Sequence, residues 1–192
     1  MDLFLLSDKG RETHMGYLYI EEPRLRSFGE AVFQAAGYTA EQSADIVDVL
    51  LTADLYGIES HGVQRLIRYY KAMQEGSIRP DAGFTVVHET PISAVIDAPF
   101  TMGQVMGKYG MRLAIDKARA AGIGMVVVRR TNHYGIAGYY SSMAAEQDMI
   151  GISLANTEAI MIPTHGRKAM LGTNPIAFGW PRIRARPSGA SA

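Results

Sequence analysis

The residues best suited to chemistry form a stretch, Asn132-His133-Tyr134-Gly135, which three polar residues separate from the valines at positions 126–128. A short β-branched run is typical of a buried strand, and the helical pattern after Gly135 completes a strand, turn and helix. Proteins of the α/β class bind ligands at the carboxyl edge of their strands. Because an imidazole titrates near neutral pH, His133 is a candidate general acid or base. The alternative is a histidine that caps a helix or packs in the core.

A second polar group, Ser60, His61 and Arg65, lies at the break between two predicted helices. The N-terminus of a helix favours anions, and an arginine can bind a carboxylate through two parallel hydrogen bonds. We expect the three side chains to share one small volume. The alternative is an N-cap serine, a turn histidine and a solvated arginine.

A third polar segment is Gly172-Thr173-Asn174-Pro175, which follows a long loop that begins at Asn156 and Thr157. Its tight turn, hydrogen-bonding side chains and backbone amides suit a phosphate or an amide ligand, although an ordinary Asx turn has the same pattern. Neither G-x-G-x-x-G after a strand nor G-x-x-x-x-G-K-[ST] occurs, so a Rossmann or P-loop site is not supported.

Composition restricts the class of protein. The 192 residues are 47% hydrophobic and 20% charged with zero net charge, as in an ordinary soluble domain, and this balance does not favour nucleic acid or a membrane surface as partner. The absence of cysteine excludes disulfides and thiolate chemistry. No apolar run reaches the roughly 18 residues of a membrane helix. We therefore predict a cytoplasmic protein, and we assign no metal site.

Helical periodicity dominates the first part of the chain. One helix is predicted from Pro23 to Gly37, and a capping box from Thr39 to Gln42 begins a second helix that ends near Tyr56. A third helix ends at Gly76. The residues predicted to face the core are Leu25, Phe28, Val32 and Phe33 in the first helix, Ile46, Val49, Leu50 and Ala53 in the second, and Leu66, Ile67, Tyr70 and Met73 in the third.

Strands and helices alternate in the second part. The predicted elements are strands at 84–88 and 92–97, a helix at 104–121, the strand before His133, a helix to Gln147 and a strand at 150–155. Val105, Tyr109, Leu113 and Ala114 are expected to face inward from the long helix. Glycines at 103, 107 and 110 are costly in a helix, so close packing against another backbone is a plausible reason for them.

Four regions follow from these patterns. Residues 1–16 are interpreted as a disordered leader, with Met1 or Met15 as the functional start. Residues 17–80 are interpreted as a helical substrate-side region, and residues 81–181 as a partial α/β cofactor and catalytic domain. Residues 182–192 have a single large apolar residue and no period, which predicts a disordered tail.

Three motifs carry a resemblance to a known family. They are Ala53-Asp54-x-x-Gly57-x-x-Ser60-His61-Gly62-x-x-Arg65-Leu66, Asn132-His133-Tyr134-Gly135-x-Ala137-Gly138-Tyr139-Tyr140 and Leu171-Gly172-Thr173-Asn174-Pro175. With these motifs in this order, the chain resembles the malate/L-lactate dehydrogenase family of the non-Rossmann type. That family includes ureidoglycolate and sulfolactate dehydrogenases and cyclic imino-acid reductases. The resemblance covers roughly Tyr17 to Pro181.

The resemblance implies an α/β protein with an N-terminal helical region and a partial mixed-sheet, non-Rossmann nicotinamide-cofactor domain. It implies an oxidoreductase that uses NAD or NADP on a 2-hydroxy acid, or on a related 2-oxo or imino acid, as a homodimer or larger homo-oligomer. His133 matches the catalytic acid/base, with His61 as second candidate, and Ser60, His61 and Arg65 match the substrate-binding residues. The residues that match cofactor-binding segments are Asn156, Thr157, Gly172, Thr173, Asn174 and Pro175.

The chain departs from this family in three places. Met1 to His14 is additional, His165 stands where a small residue is expected, and the pattern ends after Pro181, as in a truncated chain. The alternative interpretation is therefore a catalytically inactive truncated fragment that acts at most as a dimerisation or anion-binding module.

Overall fold

A computed structural model describes residues 19–181. The leader predicted over residues 1–16 and the tail predicted over residues 182–192 lie outside the described residues.

Two helices that pack against each other begin the fold, α1 (Glu22–Ala35) and α2 (Ala40–Leu55). The predicted capping box is confirmed, since Thr39 Oγ1 accepts from the Gln42 amide at 3.1 Å and Gln42 Oε1 accepts from the Thr39 amide at 3.0 Å. Phe28 was expected to face inward, but its side chain is 59% exposed. The core of this region contains Phe33, Ile46, Val47, Leu50, Leu51, Tyr69 and Met102.

The third helix, α3 (Leu66–Gln74), follows two 3₁₀ turns at Glu59–His61 and Val63–Arg65. The face predicted for it is confirmed at Leu66 and Met73, which pack against the helical core. It is wrong at Ile67 and Tyr70, which are 67% and 54% exposed, while Tyr69 is 1% exposed. The sequence predicted Ile67 to face the core because its side chain is apolar. Tyr69 is buried instead because its hydroxyl finds hydrogen-bond partners inside the protein.

The first sheet has the order β1-β2-β3, with β1 (Thr85–Glu89) antiparallel to β2 (Ser93–Asp97) and β3 (Met125–Arg129) parallel to β2. The sheet is therefore mixed, as predicted. Residues 126–128 form the predicted strand, but the expectation that this strand is buried is wrong. Val126 and Val128 pack toward the helix on one face, whereas Met125 and Val127 are 60% and 48% exposed on the other.

A second, two-stranded sheet pairs β4 (Gly151–Leu154) with β5 (Ile176–Gly179) in antiparallel register. The helix α5 (Ala137–Ala145) packs against both strands and ends two residues before the predicted Gln147. Ser153 lies on the covered face of this sheet. The opposite face exposes Ile152, Leu154, Ile176 and Phe178.

The helix α4 (Gly103–Ala121) connects β2 to β3 and touches both apolar cores. Met102, just before α4, belongs to the helical core, and Met106 packs with Ile96 and Ala98 beneath the first sheet. Tyr109 was predicted to face inward, but it is 36% exposed, with its ring centroid 4.6 Å from that of Phe84.

Close packing explains the three glycines of α4, but the predicted contact with another backbone is confirmed at Gly103 alone, since Gly107 and Gly110 face side chains. A Cβ on Gly103 would lie 2.2 Å from the carbonyl oxygen of Asn132, and one on Gly107 would lie 2.6 Å from Cε1 of Tyr140. At Gly110 the nearest atom, Cγ2 of Val128, is 3.2 Å away. These glycines let α4 approach the loop after β3 and the helix α5.

Alanine substitutions in two helices test this packing. Gly107→Ala places a methyl group inside the Tyr140 ring contact, and we expect the free energy of unfolding to fall by about 1–3 kcal/mol. Gly138→Ala in α5 is the matched control because no atom lies within 4 Å of its added Cβ. Its unfolding free energy should stay unchanged or rise by about 0.5–1 kcal/mol. Chemical denaturation measures both values, and equal effects at the two positions would contradict the packing assigned to Gly107.

Candidate active site

The loop that carries His133 is anchored on both sides. The Asn132 side-chain amide donates to the carbonyl oxygens of Ser77 at 2.9 Å and Thr101 at 3.0 Å, and the hydroxyls of Thr101 and Thr131 are 2.9 Å apart. Three connections therefore join the end of β3 to the segments before β1 and before α4. They hold the backbone of the histidine loop in place.

The turn that follows requires glycine. Gly135 has φ +87°, and a Cβ there would lie 2.6 Å from Cγ1 of Val49 in α2. A left-handed conformation and a close neighbour both exclude a larger residue. The chain therefore turns directly against α2 and enters α5.

His133 is held by a tyrosine of α3. Its Nδ1 lies 2.8 Å from the Tyr69 hydroxyl, and that hydroxyl accepts a hydrogen bond at 2.6 Å from Nε2 of Gln104 in α4. Tyr69 and Gln104 are 1% and 0% exposed. Oε1 of Gln104 is buried without a hydrogen-bond partner in the described part of the chain. Since Nδ1 is occupied, Nε2 is the ring nitrogen of His133 left to meet a ligand.

The structure brings Ser60, His61 and Arg65 beside His133. The ring centroids of His61 and His133 are 5.3 Å apart, Nδ1 of His61 lies 2.9 Å from the Ser60 hydroxyl, and Nε of Arg65 donates to the Ser60 carbonyl at 2.5 Å. Within residues 19–181 Arg65 forms no salt bridge. Its outer guanidinium nitrogens are available to an anionic ligand.

The surroundings favour neutral imidazoles. Burial, with smaller contributions from the charges of Arg65, His61 and Arg68, lowers the pKa of His133 to about 4. Burial and then the charge of Arg65 also lower the pKa of His61. Both rings are therefore uncharged near neutral pH and can accept a proton.

The two segments assigned to a cofactor also meet. Oδ1 of Asn174 accepts from the Thr157 amide at 3.0 Å, the Thr157 hydroxyl accepts from the Asn174 amide at 3.3 Å, and the hydroxyls of Thr157 and Thr173 are 3.2 Å apart. Gly172 is required, since a Cβ there would lie 2.4 Å from the Thr157 hydroxyl. The carbonyl of Pro175 accepts from the Ala155 amide at 3.2 Å. We call this arrangement of 156–157 with 172–175 the loop clamp.

The loop clamp follows β4 in the chain, and β4 contacts the loop that carries His133. Tyr134, next to His133, has its hydroxyl 3.3 Å from that of Ser153 in β4, and its ring stacks on Tyr140 with centroids 4.7 Å apart. Asn156 follows Ser153 by three residues and is exposed. His165, where we expected a small residue, has φ +63°, a conformation that favours glycine.

Tyr69 and Gln104 were absent from the residues predicted for the site. Tyr69 follows Arg65 by four residues, the spacing that places two side chains on one helix face, so the sequence did contain a signal for it. Gln104 carried no such signal. A glutamine at the start of a helix is ordinary, and only the packing of α4 beneath Tyr69 gives it a polar partner.

Other features lie apart from the histidines. Clefts of about 340 and 320 Å³ occur beside Phe100 and beside Phe84, and neither is lined by His61 or His133. Over residues 19–181, no group of three or more histidine, aspartate and glutamate side chains could hold a metal ion. Over the same range, no helix has the length and apolar character needed to cross a bilayer.

One mixed sheet and one antiparallel sheet, packed with helices, define an α/β protein without a Rossmann arrangement. Its candidate site groups two histidines and an arginine, residue types that could move a proton and bind an anion. The chain matches the family described as malate/L-lactate dehydrogenase over residues 20–188. It therefore belongs to this family. The match extends past Pro181 into the segment predicted to be a tail.

Curated relatives agree with this assignment. The chain is 47% identical to malate dehydrogenase of Pyrococcus abyssi over 86% of its own length and 46% of the relative's. It is 46% identical to L-sulfolactate dehydrogenase of Methanocaldococcus jannaschii, over 78% of this chain and 43% of the relative. Ureidoglycolate dehydrogenase (NAD(+)) of Escherichia coli K12 is 35% identical, over 76% and 42%. The chain thus spans about half the length of the curated relatives it matches.

Solved structures share the fold. Malate dehydrogenase from Pyrococcus horikoshii superposes with a TM-score of 0.86 at 43% identity, over 94% of this chain and 51% of that one. Delta1-piperideine-2-carboxylate reductase from Pseudomonas syringae superposes with a TM-score of 0.77 at 27% identity, over 88% and 51%. The resemblance seen in the motifs, including the non-Rossmann fold, is confirmed.

The lowered pKa of His133 predicts a dependence of stability on pH. The unfolded chain binds a proton near pH 6.5 and the folded chain near pH 4, so between these values the unfolded state holds more protons and stability falls as the pH falls. For this partly buried ring we expect a loss of about 1–2 kcal/mol between pH 7 and pH 5. His133→Asn should remove that part of the slope in denaturation curves. An identical slope in the variant would contradict the burial assigned to His133.

Proposed function

We propose that this protein acts as an oxidoreductase that transfers a hydride between NAD or NADP and a 2-hydroxy acid, or the corresponding 2-oxo or imino acid. The observation that carries the proposal is the grouping of His133, His61 and Arg65 in one place. Oxidation of a 2-hydroxy acid needs a base for the hydroxyl proton and a cation for the carboxylate, and this group contains both. The names of the relatives support the same substrate class.

His133 is assigned the proton transfer. With Nδ1 against Tyr69, its Nε2 accepts the hydroxyl proton when the alcohol is oxidised and returns a proton to the oxygen in the reverse direction. A pKa lowered by burial keeps the ring neutral, which is the form a general base requires. His61 is the second candidate because its ring faces the same space.

Arg65 is assigned the carboxylate. The bond from its Nε to the Ser60 carbonyl orients the guanidinium and leaves the two terminal nitrogens for a carboxylate. Ser60 also holds the ring of His61 through its hydroxyl, so one serine positions both neighbours. This arrangement supports the binding of the substrate in a single orientation.

The loop clamp is assigned the cofactor. Its side-chain donors fit the amide and phosphate groups of a dinucleotide, because the Thr173 hydroxyl and the Asn174 side-chain amide lie together at an exposed turn. The backbone amides of Thr157 and Asn174 hold the two segments of the clamp together. When bound, the nicotinamide supplies or accepts the hydride. Gly172 keeps the two segments of the clamp in contact. The family resemblance further supports a cytoplasmic homodimer or larger homo-oligomer.

Binding of NADH separates this function from its alternatives. The purified protein should quench or shift NADH fluorescence and reduce NAD or NADP in the presence of one member of a panel of 2-hydroxy acids. An anion-binding module built on Ser60, His61 and Arg65 would bind carboxylates without any response to NADH. The absence of NADH binding would therefore overturn the assignment of the loop clamp.

Removal of the His133 ring tests the acid/base role. We expect His133→Ala to lower kcat by about 10²–10⁴-fold with the affinity for NADH little changed, because general acid–base catalysis contributes that much. His61→Ala is the matched comparison. If His133→Ala keeps turnover within a few-fold while His61→Ala loses it, the acid/base is His61.

A charge-conserving change tests Arg65. Arg65→Lys keeps the positive charge but loses the planar pair of donors, so KM for the 2-hydroxy acid should rise by at least ~10-fold. Arg68→Lys is the control, because the charge of Arg68 also lowers the pKa of His133 but its side chain is exposed. An unchanged KM in Arg65→Lys across several 2-hydroxy acids would exclude the carboxylate role.

A further inference from the structure

The proton position on His133 depends on a chain of three side chains. The Tyr69 hydroxyl touches Nδ1 of His133 at 2.8 Å and the Gln104 amide at 2.6 Å, and it has one proton to share between them. When Gln104 donates to the Tyr69 oxygen, the hydroxyl proton points to Nδ1, and the imidazole carries its own proton on Nε2. In that state Nε2 cannot accept a proton.

Rotation of the Gln104 amide by half a turn reverses the direction of both bonds. Oε1 then accepts the Tyr69 proton, the Tyr69 oxygen accepts from Nδ1–H of His133, and Nε2 becomes a free base. The observation that makes this rotation relevant is the buried Oε1 of Gln104, which has no partner among the described residues when Nε2 faces Tyr69. One end of this amide is unpaired in either orientation, so hydrogen bonding alone does not lock the first one.

We propose that Gln104 and Tyr69 are positioning residues that set the tautomer of His133, and that the working form has Gln104 Oε1 as the acceptor of the Tyr69 proton. This inference deepens the acid/base role proposed for His133 and adds two residues that touch neither substrate nor cofactor. The same orientation serves both directions of the reaction. A protonated or neutral ring keeps Nδ1–H on Tyr69, while the exchanged proton comes and goes at Nε2.

We call the hydrogen-bonded chain of Gln104, Tyr69 and His133 the relay. The charged groups around the His133 ring are compatible with it. Arg68 approaches from α3, Arg65 from the 3₁₀ turn before it and His61 from the first 3₁₀ turn, and Gln104 on α4 is uncharged. These groups act on the total charge of the ring. The direction of the hydrogen bond at Nδ1 decides between the two neutral tautomers, whose charge is the same.

The test is a set of variants read by long-range proton–nitrogen NMR, which distinguishes the two tautomers of a histidine. In the wild-type protein at neutral pH, His133 should carry its proton on Nδ1. In Gln104→Leu the Tyr69 proton has only Nδ1 as an acceptor, so the ring should change to the Nε2–H form. Gln104→Glu restores an oxygen acceptor and should return the ring to the wild-type tautomer.

A buried tyrosine supplies the control for packing. Tyr38 is 6% exposed and its hydroxyl has no partner in the described structure, so Tyr38→Phe removes a buried hydroxyl without altering the relay. Its His133 signals should match those of the wild type. A wild-type His133 in the Nε2–H form, or the same tautomer in wild type and Gln104→Leu, overturns the proposal. The wild-type measurement decides even if a variant fails to fold.

Turnover provides the second readout. Gln104→Leu should lower kcat at least ~10-fold with KM nearly unchanged, and Gln104→Glu should recover most of it, because only the proton position differs. A tautomer change without any wild-type dehydrogenase activity would support the relay and refute the proposed function. Activity in the wild type with no loss in Gln104→Leu would refute the relay alone.

Discussion

The hydrogen bond between Tyr69 and His133 is the contact on which the site depends. It joins α3, which belongs to the helical core, to the loop after β3, which belongs to the first sheet. A tyrosine can be buried at this junction because Gln104 satisfies its hydroxyl from α4. The same contact orients the one histidine that we assign to proton transfer, so packing and chemistry share these atoms.

The helix α4 holds the remaining elements at the distances this contact requires. Gly103 allows the carbonyl groups of Asn132 and His133 to rest on its first turn, and Gly107 receives the ring of Tyr140 from α5. A larger residue at Gly103 would push the histidine loop away from α4, and one at Gly107 would push α5 away. Glycine therefore allows α4, the histidine loop and α5 to meet.

Buried charge also ties the helices together. Lys108 of α4 is 8% exposed and lies 2.5 Å from Asp45 of α2, and Tyr139 of α5 donates to Asp48 of the same helix. Such a pair adds little net stability, because removal of both charges from water offsets their attraction. It does disfavour other alignments, since a shift of α4 along α2 would leave a buried charge without a partner. The alignment of α2, α4 and α5 keeps Gly135 against Val49 and thus fixes the turn after His133.

The order and type of the elements as far as β4, the capping box at Thr39 and the three family motifs could be read from residue types alone, whereas the strand β5 was not predicted. Each depends on neighbours in the chain, such as the reach of a Thr39 hydroxyl to the amide three residues later. The same local reasoning predicted that Ser60, His61 and Arg65 lie together, because Ser60 and His61 are adjacent and Arg65 follows about one helical turn later.

The face that is buried was predicted correctly for α2, where Ile46, Val49, Leu50 and Ala53 all lie in the core, but in α3 and β3 it was decided only by tertiary structure. Ile67 and Tyr69 are equally compatible with the period of α3, and only a partner 35 residues further along the chain, Gln104, makes Tyr69 the buried one. The valines at 126–128 read as a buried strand, yet only one face of β3 is covered, because α4 packs on one side of the sheet. Local periodicity restricts a side chain to a face. The elements that arrive from distant sequence determine whether that face is covered and what its polar groups bind.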